Sequence, residues 1–455
     1  MIQGITFPSP NPLIPSDLSI KAPAIEDQSV FPEGPTLICD EPKWRVHYKQ
    51  DRRYGQPKGY AYFNIKMPRT LFGADATART SALSRLYKMS LGDAVNEYIY
   101  DASVAGLGAS LEFGSKAIRI TFSGFNDKLR PFVAQTAAML ASHRPTDESK
   151  ISRFRDSIAR DIKGFNSSQP YQHASFFASL YTSKPAFLPA DVLRELETVT
   201  LGDVQAFGDE LWASAFGEVL VQGNMLEEDA RGIVDSMDAA LNFTELKRAD
   251  QAVSTLYQLP LTPHGHGSLV RSVEPNAADP NSAAVVYLQN SDRSDLRQQM
   301  AMEVLASIVE APFYGDLRTK QQLGYIVSSG IKEERGVRSL VFTVQSGFAD
   351  AGYLSEKVFA FLGGFEKTLQ SMDDAEVNGY IKSLVETKEQ KIVRLSDETL
   401  LHWGEIVTGK YKYDRTLVEA KTTKELNKAF LVKVWQDVIA SGGSRRRVLT
   451  SEVLR

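Results

Sequence analysis

Two side chains in the stretch DLRTKQQLGYIVSSG, residues 316–330, could take part in catalysis. Arg318 and Tyr325 stand seven positions apart, with Gly324 just before the tyrosine and an apolar Ile-Val pair after it. A guanidinium presents a fixed fork of donors to a carbonyl or carboxylate, and a phenol donates one hydrogen bond. Together they could stabilise an oxygen on which negative charge develops. The alternative interpretation is an ordinary hydrogen bond at the end of a helix.

The histidines do not form a recognisable metal motif. They are His47, His143, His173, His264, His266 and His402. In HWGEI, His402 and Glu405 fit the first and fourth positions of a His-x-x-Glu-His motif, but Ile406 replaces the second histidine. Zinc requires three protein ligands, so we expect His402 to lie on a helix face beside a packed Trp403. The PHGHG histidines are expected to be solvated, and His173 is expected to make a satisfied hydrogen bond on a helix.

Composition excludes several classes of function. The chain has 455 residues and a net charge of −4, with 52 basic and 56 acidic side chains, so it lacks the basic field that nucleic-acid binding needs. The single cysteine, Cys39, excludes an internal disulfide framework and fits a reducing compartment. The sequence contains no signal-peptide pattern and no apolar run of membrane-spanning length, which predicts a cytoplasmic protein. The charged runs KEERGVR and SRRRVL are expected to be solvated.

The order of the predicted elements indicates an α+β protein with an internal duplication. In the first region, WRVHYKQ, GYAYFNIKM, GASLEFG and AIRITFSGF alternate as strands, and the stretches from residue 76 and from residue 127 show helical spacing. The second region repeats this order with SAAVVYLQN, a long helix from residue 296, a hairpin and a further helix. We therefore expect two homologous domains, 15–245 and 265–455, each a mainly antiparallel sheet with helices packed on one face.

The duplication provides an internal comparison for the arginine–tyrosine pair. Aligning Leu107-Gly108 with Leu323-Gly324 places Arg318 opposite Ala102 and Tyr325 opposite Ala109. A pair that was needed to build the fold should occur in both copies. The glycines do occur in both, and we expect each to end a helix in a left-handed conformation.

Several longer stretches resemble the C-terminal half of the insulin-degrading enzyme and pitrilysin family. They are APFYGDLRTKQQLGYIVSSG, SLVFTVQSG, YQHASFFASLY, GFNDKLRPFV, SLGDAVNEYIYDASVAGL and HWGEIVTGKYKYDR. The resemblance covers nearly the whole chain. Members of this family are zinc metallopeptidases of four homologous α+β domains, whose two halves close like a clamshell around a chamber for unfolded peptides.

The resemblance implies a role for each part of the chain. Residues 1–14 would be a linker from a missing N-terminal half, 15–245 the third domain and 265–455 the fourth. Zinc would be held by the N-terminal half, in cis or as a separate subunit, and this chain would bind none. In the family, the residues corresponding to Arg318 and Tyr325 reach toward the peptide, so Tyr325 would donate to the oxyanion and Arg318 would hold a substrate carbonyl. The isolated chain is then expected to be inactive.

The sequence also allows a second interpretation. The same fold occurs in catalytically silent assembly or processing subunits, and this chain could be one of them. Retention of both Arg318 and Tyr325 favours the peptidase half.

Overall fold

The computed structural model describes residues 10–290 and 293–455. They form two compact units, each assembled from separate stretches of the sequence. Unit 1 consists of Met1–Arg160, Pro189–Ser254 and Lys391–Tyr413, and unit 2 of Asp161–Leu188, Thr255–Gln390 and Asp414–Arg455. Residues 1–9 of the predicted 1–14 linker lie outside the described residues. The remainder is anchored in unit 1, where Leu13 is buried and the Asn11 amide donates to the carbonyl of Asp101.

The strands of the described residues are β1 (Thr36–Asp40), β2 (Trp44–Gln50), β3 (Lys58–Lys66), β4 (Leu107–Phe113), β5 (Ala117–Phe125), β6 (Ser183–Lys184), β7 (Ser214–Gly223), β8 (Thr244–Glu245), β9 (Thr255–Leu256), β10 (Ser268–Val273), β11 (Ser282–Leu288), β12 (Ile326–Glu334), β13 (Val337–Ser346) and β14 (Val448–Leu454).

The helices of the described residues are α1 (Ala78–Val104), α2 (Asn126–Ser142), α3 (Glu148–Gly164), α4 (Pro170–Thr182), α5 (Pro189–Thr198), α6 (Leu201–Leu211), α7 (Glu227–Leu241), α8 (Leu296–Tyr314), α9 (Ala351–Ser371), α10 (Asp374–Lys388), α11 (Leu395–Thr408), α12 (Arg415–Lys424) and α13 (Lys428–Val434).

The two large sheets share one topology, as expected for a duplicated unit. In unit 1 the strand order is β1-β2-β7-β3-β5-β4, and in unit 2 it is β10-β14-β11-β13-β12. β2 runs parallel to β7, and β10 runs parallel to β14, while the other pairs along these two paths are antiparallel. The predicted fold class, α+β with mainly antiparallel sheets, is confirmed.

Alternating residues of the central strands contact different layers, because successive side chains of a strand point to opposite faces. In β3, Phe63 packs edge-on against Phe122, which in turn packs against Phe132 of α2. Its neighbour Tyr62 packs instead against Trp403 of α11. Both faces of the sheet in unit 1 are therefore covered.

Unit 2 repeats this arrangement around β11, which is buried along its whole length. Ala284, Val286 and Leu288 belong to the main core with α8 and α9. Val285 packs with Ala174 of α4 on the other face. Each sheet thus carries one helix on the face opposite to the predicted helical layer.

The two helices on these second faces come from the other region of the sequence. α11 follows the second hairpin in the chain but packs within unit 1, and α4 follows the first hairpin but packs within unit 2. The compact units therefore differ from the continuous stretches 15–245 and 265–455. The difference arises because β7 and β11 have apolar residues on both faces, and a second apolar face must be covered.

Candidate functional site

The candidate site lies between helix α8 and strand β12. α8 continues without a break into a π-helical turn over Gly315–Lys320, which carries Arg318. Such turns are rare and are found frequently at functional sites. Gln322 then takes a left-handed conformation, with φ of 54°, which is uncommon for an L-residue. The buried Leu323 donates its backbone N–H to the carbonyl of Leu317, so the segment is tied back onto the π-helical turn.

The structure brings Arg318 and Tyr325 together. The guanidinium carbon of Arg318 lies 5.6 Å from the centre of the Tyr325 ring, a distance that fits a cation–π interaction. The Tyr325 side chain is highly exposed, at 83%. Arg318 is half-buried, and its Nε is enclosed without a hydrogen-bond partner among the described residues.

Neither side chain of the pair makes a structural hydrogen bond within the described part of the chain. No ion pair there involves Arg318, and no side-chain hydrogen bond there involves the Tyr325 hydroxyl. The ordinary helix-end hydrogen bond that was the alternative interpretation is therefore not observed. The guanidinium fork and the phenol are available to a ligand.

Gly324 is required by the close approach of two backbones. A Cβ at this position would lie 1.8 Å from the carbonyl oxygen of Gln345 and 3.3 Å from the Cα of Ser346, both in β13. The predicted left-handed conformation is wrong for Gly324 and for Gly108, since the positive φ values fall on Gln322 and Gly106 instead. Gly324 thus holds the segment with Tyr325 directly against the sheet.

The positions aligned in the first copy are unlike the site in burial and contact. Ala102 is fully buried in α1, and Ala109 lies half-buried in β4 opposite Phe122. Gly108 pairs with Ser123, and a Cβ there would make only an ordinary contact of 3.4 Å with the Ser123 hydroxyl. At this aligned glycine, the tight backbone approach occurs in the second copy and not in the first.

The histidines serve packing and hydrogen bonding in the described residues. His173 is fully buried and hydrogen-bonded to Glu274 at 2.9 Å and to the carbonyl of Phe165 at 2.7 Å, which confirms the satisfied hydrogen bond. His402 is fully buried on α11 beside the packed Trp403 and bonds Gln222 at 2.9 Å.

Burial makes His402 and His47 weak bases. It lowers the pKa of His402 to about 3 and that of His47 to about 4. Both are neutral at pH 7. Across residues 10–290 and 293–455, no three His, Cys, Asp or Glu side chains are grouped so that they could hold a metal ion. The described residues therefore do not fit a zinc site.

Two arginines are buried at positions where the sequence predicted solvated side chains. The expectation that the runs KEERGVR and SRRRVL are solvated is wrong for Arg338 and Arg446, which are 5% and 3% exposed. Arg338 lies near the start of β13 and forms ion pairs with Glu303 at 2.7 Å and Glu419 at 2.8 Å. Apolar residues that predict a strand follow each run. This signal could have indicated that both arginines are buried.

Comparisons with known proteins agree on the identity of the fold. The family described as the middle or third domain of peptidase M16 matches residues 1–195, and the domain 4 of the C-terminal lobe of PQQ synthase PqqF-like proteins matches residues 304–403. Insulin-degrading enzyme of Bos taurus is 27% identical over 98% of this chain and 43% of its own length. The peroxisomal insulin-degrading enzyme-like 1 of Arabidopsis thaliana is also 27% identical, over 98% of this chain and 45% of its own.

Two solved structures show the same fold. The crystal structure of pitrilysin matches with a TM-score of 0.83 at 20% identity, over 99% of this chain and 46% of the other. A peptidase M16 inactive domain from Pseudomonas fluorescens matches with a TM-score of 0.66 at 11% identity, over 92% of this chain and 98% of the other. The chain thus spans less than half the length of the curated relatives named above. No helix in the described residues is long and apolar enough to cross a membrane.

Proposed function

Because the chain belongs to the insulinase/pitrilysin-type M16 peptidase family, we propose that it is the C-terminal, non-zinc-binding half of a metalloendopeptidase that degrades peptides in an enclosed chamber. Its partner is an N-terminal half, in cis or as a separate subunit, that holds the zinc. Its substrates are unfolded peptides. We place the complete enzyme in the cytoplasm, because the single cysteine of this chain fits a reducing compartment.

The observation that carries this proposal is the Arg318–Tyr325 pair. A half-buried guanidinium without a carboxylate lies over the ring of an exposed tyrosine, and neither group has a structural hydrogen bond within the described chain. Residues that only support a fold are normally paired when they are buried. The hydrogen-bond donors of Arg318 and Tyr325 lie close together, and they instead suit a ligand that carries oxygen acceptors.

We assign the two side chains different tasks in peptide hydrolysis. When a nucleophile attacks the scissile carbonyl, its oxygen becomes negative, and Tyr325 donates its hydroxyl proton in a hydrogen bond to that oxygen. Arg318 holds a neighbouring backbone carbonyl of the peptide with its fork of N–H donors, both before and during the reaction.

The position of the pair supports a peptide as the ligand. Tyr325 directly precedes β12, the edge strand of the sheet in unit 2, which has a neighbouring strand on one side only among the described residues. An extended peptide can pair with the free edge of a strand. Such pairing would align successive peptide carbonyls beside the two donors.

The test is steady-state kinetics of the enzyme reconstituted from this chain and its N-terminal half. Tyr325→Phe removes one oxyanion donor, so we expect kcat to fall on the order of a hundredfold with little change in KM. Arg318→Ala should impair both constants, because Arg318 acts in the ground state as well. Tyr100→Phe is the matched control, since Tyr100 is an exposed tyrosine at 67% in the first copy. Its kcat should equal that of the wild type.

Two results would contradict the proposal at different levels. If kcat of Tyr325→Phe equals that of the control, Tyr325 is not an oxyanion donor. If the wild-type chain does not increase peptide cleavage by its N-terminal half, the chain is instead a silent assembly subunit of the same fold.

A further inference from the structure

A cavity of about 520 Å³ lies in unit 2 between helix α9 and the loop 263–267. It is remote in sequence from Arg318 and Tyr325, and neither residue lines it. Its volume falls within the range of small-molecule sites, roughly 300–1,000 Å³. The lining residues used below are His266, Phe359, Leu362, Gly363, Ile439 and Arg446.

Arg446 is a buried cation that lines this cavity without a counter-ion. Its side chain donates from Nε to the carbonyl of Ile439 at 3.0 Å, and from Nη1 to the carbonyls of Thr262 at 2.9 Å and Gly265 at 2.8 Å. Among the described residues, Nη2 has no hydrogen-bond partner and no carboxylate forms an ion pair with the guanidinium. The residue is only 3% exposed. Buried charges are normally paired, so one donor of Arg446 remains for an external acceptor.

One side of the cavity is apolar and aromatic, whereas Glu356 and Ser441 also line it. The His266 ring stacks on Phe359 with 4.1 Å between ring centres and an angle of 7°. The Arg446 guanidinium lies 5.7 Å from the centre of the same Phe359 ring. Leu362 and Ile439 complete an apolar wall. A guanidinium donor beside an apolar wall suits a ligand that has an acidic group on an apolar body.

We propose that this cavity binds a small organic monocarboxylate with an apolar body. The carboxylate accepts a hydrogen bond from Nη2 of Arg446, and the body packs against Phe359, Leu362 and Ile439. Glu356 also lines the cavity, and its negative charge repels the more highly charged inorganic phosphate more strongly than a monocarboxylate, while phosphate is also too small to fill the space. The proposal does not depend on the proposed function, because it uses none of the residues of the candidate site.

The first experiment measures binding of N-acetyl-L-phenylalanine to the full chain by isothermal titration calorimetry. N-acetyl-L-phenylalaninamide has the same shape without the charge, and we expect it to bind at least tenfold more weakly. Inorganic phosphate at the same concentration should not displace the acid. Arg446→Lys keeps the positive charge but lacks the planar fork, so it should weaken binding of the acid about tenfold.

Two adjacent glycines of α9 give a matched pair of variants that leaves Arg446 in place. A Cβ on Gly363 or on Gly364 would meet no atom within 4 Å, so either can accept a larger side chain. Gly363 lines this cavity, whereas Gly364 lines a different one. Gly363→Leu should fill the cavity and abolish binding, and Gly364→Leu should leave the affinity unchanged.

Several outcomes would overturn the proposal. They are equal affinity for the acid and the amide, competition by phosphate, binding that survives Gly363→Leu, or no saturable binding of the acid at millimolar concentrations. Thermal melting of both glycine variants checks that they fold, and Leu has a higher helix propensity than Gly. A loss of binding in a folded Gly363→Leu protein therefore reports on the cavity.

Discussion

Gly324→Ala is expected to damage catalysis through the position of Tyr325. The added Cβ would lie 1.8 Å from the Gln345 carbonyl oxygen, with the carbonyl carbon at 2.9 Å. Ordinary contact begins near 3.4 Å, so the two backbones must separate by about 1.6 Å. Neither obstacle is a flexible side chain. The segment that precedes β12 must move, and Tyr325 moves with it.

The structure sets the expected size of both effects. A misplacement of about 1 Å can cost about a hundredfold in rate, so we expect kcat of the reconstituted enzyme to fall on that order. Overpacking of this kind costs about 1–3 kcal/mol in the free energy of unfolding. Tyr325→Phe should instead leave stability unchanged, because its ring is exposed and its hydroxyl has no structural partner in the described chain.

Gly108→Ala is the matched control from the first copy of the duplicated unit. Its Cβ would meet the Ser123 hydroxyl at 3.4 Å, an ordinary contact. We expect the free energy of unfolding of this variant to differ from that of the wild type by less than about 1 kcal/mol. Replacing a glycine at a compatible site can even stabilise the protein. Urea unfolding, monitored by hydrogen exchange of the β13 amides, measures the change in the free energy of unfolding. Steady-state kinetics measures the change in kcat. If the two alanine variants have the same stability and the same kcat, the backbone approach at Gly324 does not position Tyr325.

Two further predictions concern charges inside the units. Glu419 receives hydrogen bonds from Lys388 and Arg338, which lower its pKa from 4.5 to about 2 despite burial. Since the folded pKa is the lower one, this stabilisation is full above pH 4.5 and lost as the pH falls toward 2; it amounts to about 3 kcal/mol. Glu419→Gln should lose it at pH 7 in urea titrations, whereas Glu389→Gln, in an exposed ion pair with Lys424, should lose under about 1 kcal/mol. If Glu419→Gln lowers the free energy of unfolding as much at pH 3 as at pH 7, the stabilisation does not come from the ionised Glu419 carboxylate. His402 stays neutral when folded, with a pKa of about 3, so stability falls as the pH drops below 6.5. At pH 5 the loss is about 2 kcal/mol, and melting temperatures of His402→Gln should show less acid sensitivity than those of the wild type; equal sensitivity would mean that His402 is not the titrating group.

The local patterns of the sequence predicted several elements of the fold, including the helix that leads into the site. WRVHYKQ and AIRITFSGF coincide with β2 and β5, and the helix predicted from residue 296 is α8 with its π-helical turn. These elements follow from side-chain periodicity, which depends only on neighbours in the chain. The comparison of the two copies also singled out Arg318 and Tyr325 from residue types and spacing alone. Their roles in catalysis remain predictions.

The tertiary structure alone decided which residues are buried by distant partners. The sequence could not show that α11 packs on the sheet of unit 1, that Arg338 meets Glu419, or that Arg446 lies under the loop 263–267. It also suggested the wrong reason for Gly324, whose neighbour in β13 is twenty-one positions away at Gln345. Backbone conformation and periodicity are local, whereas close approach, ion pairing and the covering of a second sheet face depend on residues that only folding brings together.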